Sequence, residues 1–554
     1  MWQILEWLTL GIFVAAMAHV CLYGLHRYIL LYLYWKHARN RPQVNHRFET
    51  LPRVTVQLPM YNERYVARRI IEESCKIDYP KDRLQIQVLD DSTDDTCAIA
   101  EETVQRMRQA GCDIEYIHRE NRVGYKAGAL EEGTTSATGE LLAIFDADFI
   151  PHPKLLKETV HYFTDADVGM VQARWDHINR DDSVLTGVQA VMLDGHFVME
   201  HGARCRSGRF MSFNGTAGVW RKTCITDAGG WQHDTLTEDL DLSYRAQMKG
   251  WKFVFLPDIA CPAELPPVME SFKTQQHRWA KGGAQTCRKL LPTIMRSKQP
   301  ARVKLEAFFH LTSCTVYPTM VVIVLLLGPT LWCSYTHRWA GPTALTWLVD
   351  IGLLMVATCS VSAFYAFSQR ELSRSWYESL KWLPFLMSVG VGISLNNARA
   401  TVAGFLGHES EFVRTPKLGV EGSGVDQRRR RRGSYAWSGF KLQPYAELAI
   451  GLYLVGSLAL CIHARWVMVG MPFMALFAAG YLYVALNSLW NLRSRPAPGD
   501  ATLARQMPMP LDRPALPPEH PASTARRGLQ RQRPRSAAAG GRERSTAGQS
   551  AHRG

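Results

Sequence analysis

The chain lacks any C-x-x-C pair, although 12 cysteines are scattered from Cys21 to Cys461. That absence excludes a zinc ribbon and a disulfide scaffold, and fits thiols kept reduced in a cytosolic compartment, where most serve as small buried hydrophobes. No Lys or Arg precedes the first apolar run, and Arg27 is the first cation. A secretory signal peptide opens on a basic segment, so this run reads instead as a membrane anchor. Between Trp7 and Leu25 no Asp, Glu, Lys or Arg occurs at all, a length about sufficient to cross a bilayer. No internal repeat stands out. Acids are scarce beyond Asn491, where twelve Arg face four Asp and Glu among many Pro, Ala and Gly. A tail of that composition has too little apolar surface to order itself.

What is present points to a membrane protein with a polar domain. Hydrophobic residues make up 47% of 554, yet the mean hydropathy is −0.14, so apolar runs must be balanced by a polar portion. Much of the net charge of +14 sits in Arg428 to Arg432 and in the tail. Arginines clustered beside apolar spans follow the positive-inside rule, and nucleic acid is not expected as a partner. Lys36, Arg39, Arg41 and Arg47 follow the first span, which places the next domain in the cytoplasm of a multi-pass inner (plasma) membrane protein. Further spans are expected at 308–335, 345–367, 448–464 and 466–490. The uncharged stretch 382–397, interrupted by Pro384, Gly390 and Gly392, is short for a crossing and reads as interfacial or re-entrant, giving five spans or six.

Between Val54 and Leu291 short apolar runs alternate with helical periodicity. Strands are expected at 54–58, 84–89, 141–145 and 168–172, and helices at 66–76, 96–110, 127–135 and 238–249. Alternating strands and helices imply an α/β domain with a mostly parallel sheet, whose ligands collect at the carboxyl ends of the strands. The expected organisation is an N-terminal span over 1–35, a catalytic domain over 50–300, membrane and interfacial helices over 305–406, a cytoplasmic loop over 407–440, a membrane hairpin over 445–490 and a basic tail over 491–554.

Six sets of residues carry chemistry. Asp90 and Asp91 end the second strand, where carboxylates accept hydrogen bonds from a nucleobase or ribose; an Asx turn capping the next helix is the alternative. Tyr61 and Glu63 follow the first strand in the same way, one for stacking and one for polar contact. Asp146 and Asp148 follow the apolar run Leu141 to Phe145 and direct a negative patch at one spot, suited to a hard divalent ion on a diphosphate. Lys126 lies near the start of a helix, a natural diphosphate site, although a solvated lysine has the same signature. In Thr237-Glu238-Asp239 the acids open a helix, either as a capping box or with Asp239 as a general base. Gln275, Arg278 and Trp279 lie on an amphipathic helix before the membrane, where Trp279 serves as a sugar platform or an interfacial anchor.

Taken together, these residues resemble a processive family-two glycosyltransferase of the cellulose synthase superfamily. The resemblance is nearest to the cellulose synthase-like A and C groups, the glucomannan and glucan backbone synthases, and their bacterial relatives. It is carried by Ile144 to Phe149 (IFDADF), Val171 to Trp175 (VQARW), Phe213 to Arg221 (FNGTAGVWR), Thr237 to Asp239, and Gln275 to Trp279 (QQHRW). It implies a GT-A, Rossmann-like domain embedded between transmembrane helices, a UDP- or GDP-sugar donor, Mg2+ or Mn2+, and inversion to a β-linkage. A growing β-glycan would be the acceptor, with a membrane lipid acceptor as the alternative. On this resemblance Asp90 and Asp91 hold the nucleotide, Asp146 and Asp148 serve metal and diphosphate, and Asp239 is the base. Glu238, Gln275, Arg278 and Trp279 serve the acceptor and pyrophosphate. Phe412 to Lys417 is similar to a gating loop F-x-V-T-x-K, with Arg414 in place of Val, so Phe412, Thr415 and Lys417 are its candidate contacts. Asn214 to Ala217 stands where cellulose synthases carry Cys-Gly-Ser, which turns the expectation from cellulose toward a glucan or mannan.

Overall fold

The computed structural model describes residues 2–336, 344–372, 375–408, 415, 417, 419, 442–463 and 470–493. Seven strands form one sheet in the order β3-β2-β1-β4-β6-β5-β7. They are β1 (Val54–Met60), β2 (Leu84–Asp90), β3 (Ile114–His118), β4 (Leu141–Ile144), β5 (Val168–His177), β6 (Gly218–Arg221) and β7 (Lys252–Ala263). β1 pairs in parallel with β2 and β4, and β2 with β3, so one half of the sheet is the parallel array that the alternating pattern implies. The other half departs from it. β6 runs antiparallel to both β4 and β5, while β5 and β7 are parallel, and the sheet is mixed.

Three strands escape the sequence pattern for physical reasons. β3 is short and half exposed, and β6 has four residues, opening on a glycine. β7 contains Pro257 and Pro262, which argue against a strand. It lies at the sheet edge, and a register shift against β5 between Ala173 and Arg174 takes up residues 257–259, so Pro257 breaks no ladder.

β1 and β2 are buried on both faces. One face carries Val56, Leu58, Ile86 and Val88 against Ile70, Ile71 and Val104 of the helices Ala67–Cys75 and Thr96–Gln109. The alternate positions are polar: Thr55 Oγ1 donates to Gln85 Oε1 at 2.7 Å and Gln57 Nε2 to Gln87 Oε1 at 3.1 Å. These pairings meet most of the buried polar groups on this face, and Gln57 Oε1 is left without a partner among the described residues. On the far side of the sheet Leu130, Leu142, Ile144, Trp220 and Phe255 form a second core. A fully buried side chain of this size contributes about 1.5–3 kcal/mol.

Among the described residues, four helical stretches are long and apolar enough to cross a membrane: Gln3–Lys36, Ala301–Trp332, Gln443–His463 and Met471–Asn491. The span expected at 345–367 falls within the helix Ala344–Glu371. The stretch expected to be interfacial or re-entrant is divided between the helices Trp376–Gly392 and Ser394–Leu406, and its apolar part, Leu380–Gly392, is too short to cross. The helix Ser394–Leu406 packs on the long helix Met269–Arg296, whose Lys273 carbonyl accepts from Asn396 Nδ2 at 2.9 Å. Arg428 to Arg432 and the basic tail lie outside the described residues.

Candidate active site

The carboxyl ends of β1, β2 and β4 lie side by side and open into a cleft of about 1210 Å³. Tyr61, Glu63, Asp91, Lys126, Asp146, Asp148, Glu238, Asp239, Gln275, Arg278, Trp279, Thr415 and Lys417 all line it. Asp90 does not. Adjacent residues at a strand end face opposite ways, so only one of the two aspartates can reach the cleft. Asp90 is fully buried, accepting from the Ser92 amide at 2.9 Å and from the Tyr116 hydroxyl at 2.7 Å. It makes the Asx turn and holds the loop from behind. Asp94 makes a like turn, its Oδ1 accepting from the Thr96 amide, while the residue at the cap of the next helix, Asp95, makes no side-chain cap. Phe412 lies outside the described residues.

Asp91 is clamped by a residue the motifs do not mark. Arg119 Nε donates to its Oδ1 at 2.7 Å and Nη2 to its Oδ2 at 2.5 Å, a buried bidentate pair. Arg122 lies 3.4 Å over the Tyr61 ring, adding a cation at the same end of the cleft. Neither arginine stands in a recognisable pattern; both sit on the loop that follows β3, a strand the sequence does not announce.

At the centre Lys126 Nζ donates to Asp146 Oδ1 at 2.5 Å and to the Gly215 carbonyl at 2.8 Å. Burial works against its charge, but Asp146, Glu238 and Asp239 outweigh it and hold the ammonium above its ordinary pKa. Gly215 has φ +80°, and a Cβ there would stand 3.0 Å from Asp239 Oδ2 and 3.4 Å from Lys126 Nζ. A side chain at that position would be strained and would crowd the base candidate, so glycine is required. Asp239 opens the helix Glu238–Met248, where the helix dipole favours a carboxylate. The capping box is not formed, because Thr237 makes no side-chain cap. Burial in the cleft, reinforced by the like charge of Glu238, raises Asp239 to a pKa of about 7 against the opposing pull of Lys126 and Arg278.

Asp148 is covered by Lys417, whose Nζ donates to Oδ2 at 2.6 Å and to the Glu264 carbonyl at 3.3 Å. Glu264, buried and unmarked in the sequence, also accepts from Arg69 at 3.0 Å and from the Gly419 amide at 3.1 Å. It ties Lys417 and Gly419 to the end of β7. Thr415 is buried in the same wall, with its hydroxyl unpartnered. Gln275, Arg278 and Trp279 sit at i, i+3 and i+4 on one face of the helix Met269–Arg296, so all three reach the cleft, and Trp279 is no outward anchor.

Asp146 and Asp148 offer two hard carboxylate donors facing one cleft, and the partners that now hold them are lysines, which a diphosphate would attract in turn. This donor set fits Mg2+ or Mn2+ completed by phosphate and water oxygens. Asp90, Cys97 and His118 also bring ligand atoms within 4.8 Å of one another, but that carboxylate is already committed to Ser92 and Tyr116.

Residues 52–282 match the model of the family described as glycosyltransferase like family 2. Glucomannan 4-beta-mannosyltransferase 1 of Oryza sativa subsp. japonica is 37% identical over 393 residues, covering 66% of this chain and 70% of that one. Glucomannan 4-beta-mannosyltransferase 2 of Arabidopsis thaliana is 35% identical over 424 residues, with coverage of 71% and 73%. Among solved structures, mannosyltransferase PcManGT from Pyrobaculum calidifontis, in complex with GDP-Man and Mn2+, is a distant match: 19% identity, TM-score 0.48, covering 72% of this chain and 100% of that one.

Proposed function

Because the chain belongs to the family-two glycosyltransferases of the cellulose synthase superfamily, we propose that it polymerises a β-linked mannan or glucomannan from GDP-mannose at a membrane. UDP-glucose is the donor to test beside it. The observation that carries the reading is the convergence of Asp146, Asp148, Lys126, Asp239, Arg278 and Trp279 on one cleft.

In this reading Tyr61, Asp91 and Arg122 form the nucleotide end. Asp146 and Asp148 would hold Mg2+ or Mn2+, which when bound offsets the charge of the leaving diphosphate. Lys126 supplies a fixed cation beside them, so charge growing on the leaving oxygen meets groups already oriented to receive it. Asp239 accepts the proton of the acceptor hydroxyl as its oxygen attacks the anomeric carbon and the bond to the diphosphate breaks. A single in-line displacement of this kind inverts the anomeric centre. Trp279 stacks on the acceptor sugar, while Gln275 and Arg278 orient it against the diphosphate. The catalytic domain faces the cytoplasm, where nucleotide sugars are made, and the membrane helices pass the product outward.

The test is incubation of purified protein with GDP-mannose or UDP-glucose, with and without a chelator, followed by linkage analysis. A metal-dependent β-linked polymer supports the reading. Transfer of one sugar to lipid would replace it, and no metal-dependent release of nucleotide diphosphate from either donor would end it.

A further inference from the structure

Where β5 ends in the cleft, a side chain besides Thr415 has no hydrogen-bond partner among the described residues. His177 ends β5, three places along the sheet from β1. Its ring lines the cleft with only 9% of the residue exposed, and among the described residues neither Nδ1 nor Nε2 has a hydrogen-bond partner. Trp175 lies two residues earlier on the same strand face and lines the same cleft. The intervening Asp176 alternates away, as does Arg174, whose Nε donates to the Pro257 carbonyl. Leu193, Leu265 and Pro266 line the same cleft.

The surroundings do not supply the missing bonds. Asp194 is the first carboxylate whose charge acts on the ring, but neither of its oxygens bonds to it: Oδ2 accepts from Arg180 at 2.6 Å and Gln369 at 2.7 Å, and Oδ1 is itself unpartnered among the described residues. Burial outweighs that carboxylate and lowers the His177 pKa to about 4, so the ring is neutral at working pH. A neutral imidazole carries one donor and one acceptor, which burial makes costly to leave unmet. Arg180 and Arg174 also act on the ring, but neither lines the cleft, whereas Trp175 at the same strand end does and offers a ligand an aromatic face. An aromatic face beside a paired donor and acceptor is the chemistry that recognises a pyranose through its C–H face and its hydroxyls.

We propose that this part of the cleft is an acceptor-sugar subsite in which the two ring nitrogens of His177 engage hydroxyls of the β-linked glycan. The assignment rests on the transferase reading for the identity of the sugar, but not for the existence of the subsite. His177 is a binding residue that fixes the acceptor chain and takes no part in proton transfer.

Calorimetry on the full-length solubilised protein tests it without any turnover. The probes are β-1,4-mannotetraose alone and, separately, GDP with Mn2+. His177→Phe keeps the ring volume and removes both polar atoms, and is expected to weaken tetrasaccharide binding about tenfold or more, the scale of one lost hydrogen-bonded contact. His177→Gln, which restores a donor and an acceptor, is expected to stay within about threefold of the native protein. GDP titration of the same samples verifies a folded nucleotide end. Tetrasaccharide affinity within twofold in His177→Phe overturns the subsite, as does absence of tetrasaccharide binding by the native protein, or a loss of GDP affinity matching the loss for the sugar. The transferase reading is judged separately, by polymer formation.

Discussion

Lys417 Nζ lies 2.6 Å from Asp148 Oδ2, joining residues 269 positions apart in the chain across the mouth of the cleft. The ammonium covers the carboxylate proposed to serve the metal and diphosphate; on that proposal it must re-pair when a donor enters, and a diphosphate oxygen is its natural new partner. Lys417→Met is expected to raise the KM for donor about tenfold, equivalent to about 1.4 kcal/mol. Steady-state kinetics with the donor varied would measure this, and an unchanged KM would remove Lys417 from the donor site.

Asp239 has the position and the raised pKa of a general base. Asp239→Asn keeps the shape and removes the proton acceptor, so turnover should fall on the order of 10²–10⁴-fold while nucleotide binding persists. Polymer formation at the native rate in this variant would end the assignment.

The same group sets a pH dependence whose sign is fixed. Burial and Glu238 disfavour the anion, so Asp239 keeps its proton up to about pH 7. A protonated base cannot accept another proton, and kcat/KM is therefore expected to rise about tenfold per pH unit below pH 7 and level off above it. Glu238→Gln removes the like charge and should move this acid limb to lower pH. A pH–rate profile of both proteins checks it; a limb that does not move would show that another group titrates.

Arg119 and Asp91 form a buried bidentate pair behind the nucleotide end. Arg119→Ala leaves a buried carboxylate unpaired, with an expected cost of about 3–5 kcal/mol. Thermal unfolding with and without GDP should show a lowered midpoint and a smaller stabilisation by the nucleotide.

Lys273 and Glu447 connect the acceptor helix to the helix Gln443–His463, with Nζ 2.7 Å from Oε1 and both side chains almost wholly buried. Breaking the pair by Lys273→Met or Glu447→Leu alone should each cost about 3–5 kcal/mol, whereas the double substitution should recover most of that loss. A double-mutant cycle on unfolding midpoints measures the coupling, and additive losses would show that the pair is not coupled.

The amino-acid sequence alone determined whatever depends on neighbours along the chain. Asp146 and Asp148 were legible because an apolar run ends immediately before them, and Gln275, Arg278 and Trp279 because helical spacing puts them on one face. Even the division between Asp90 and Asp91 was implicit in the two-residue period of a strand. Tertiary structure decided the rest. Arg119, Arg122, His177 and Glu264 belong to no motif, and their roles arise from what folding sets against them: Asp91, Tyr61, the cleft shared with Trp175, and Lys417 with Gly419. β6 reverses direction, and β7 accepts a proline at the sheet edge, because strand pairing is settled between distant segments. Local periodicity records which side of an element is apolar; which distant charge or ring meets the other side is fixed only when the chain closes on itself.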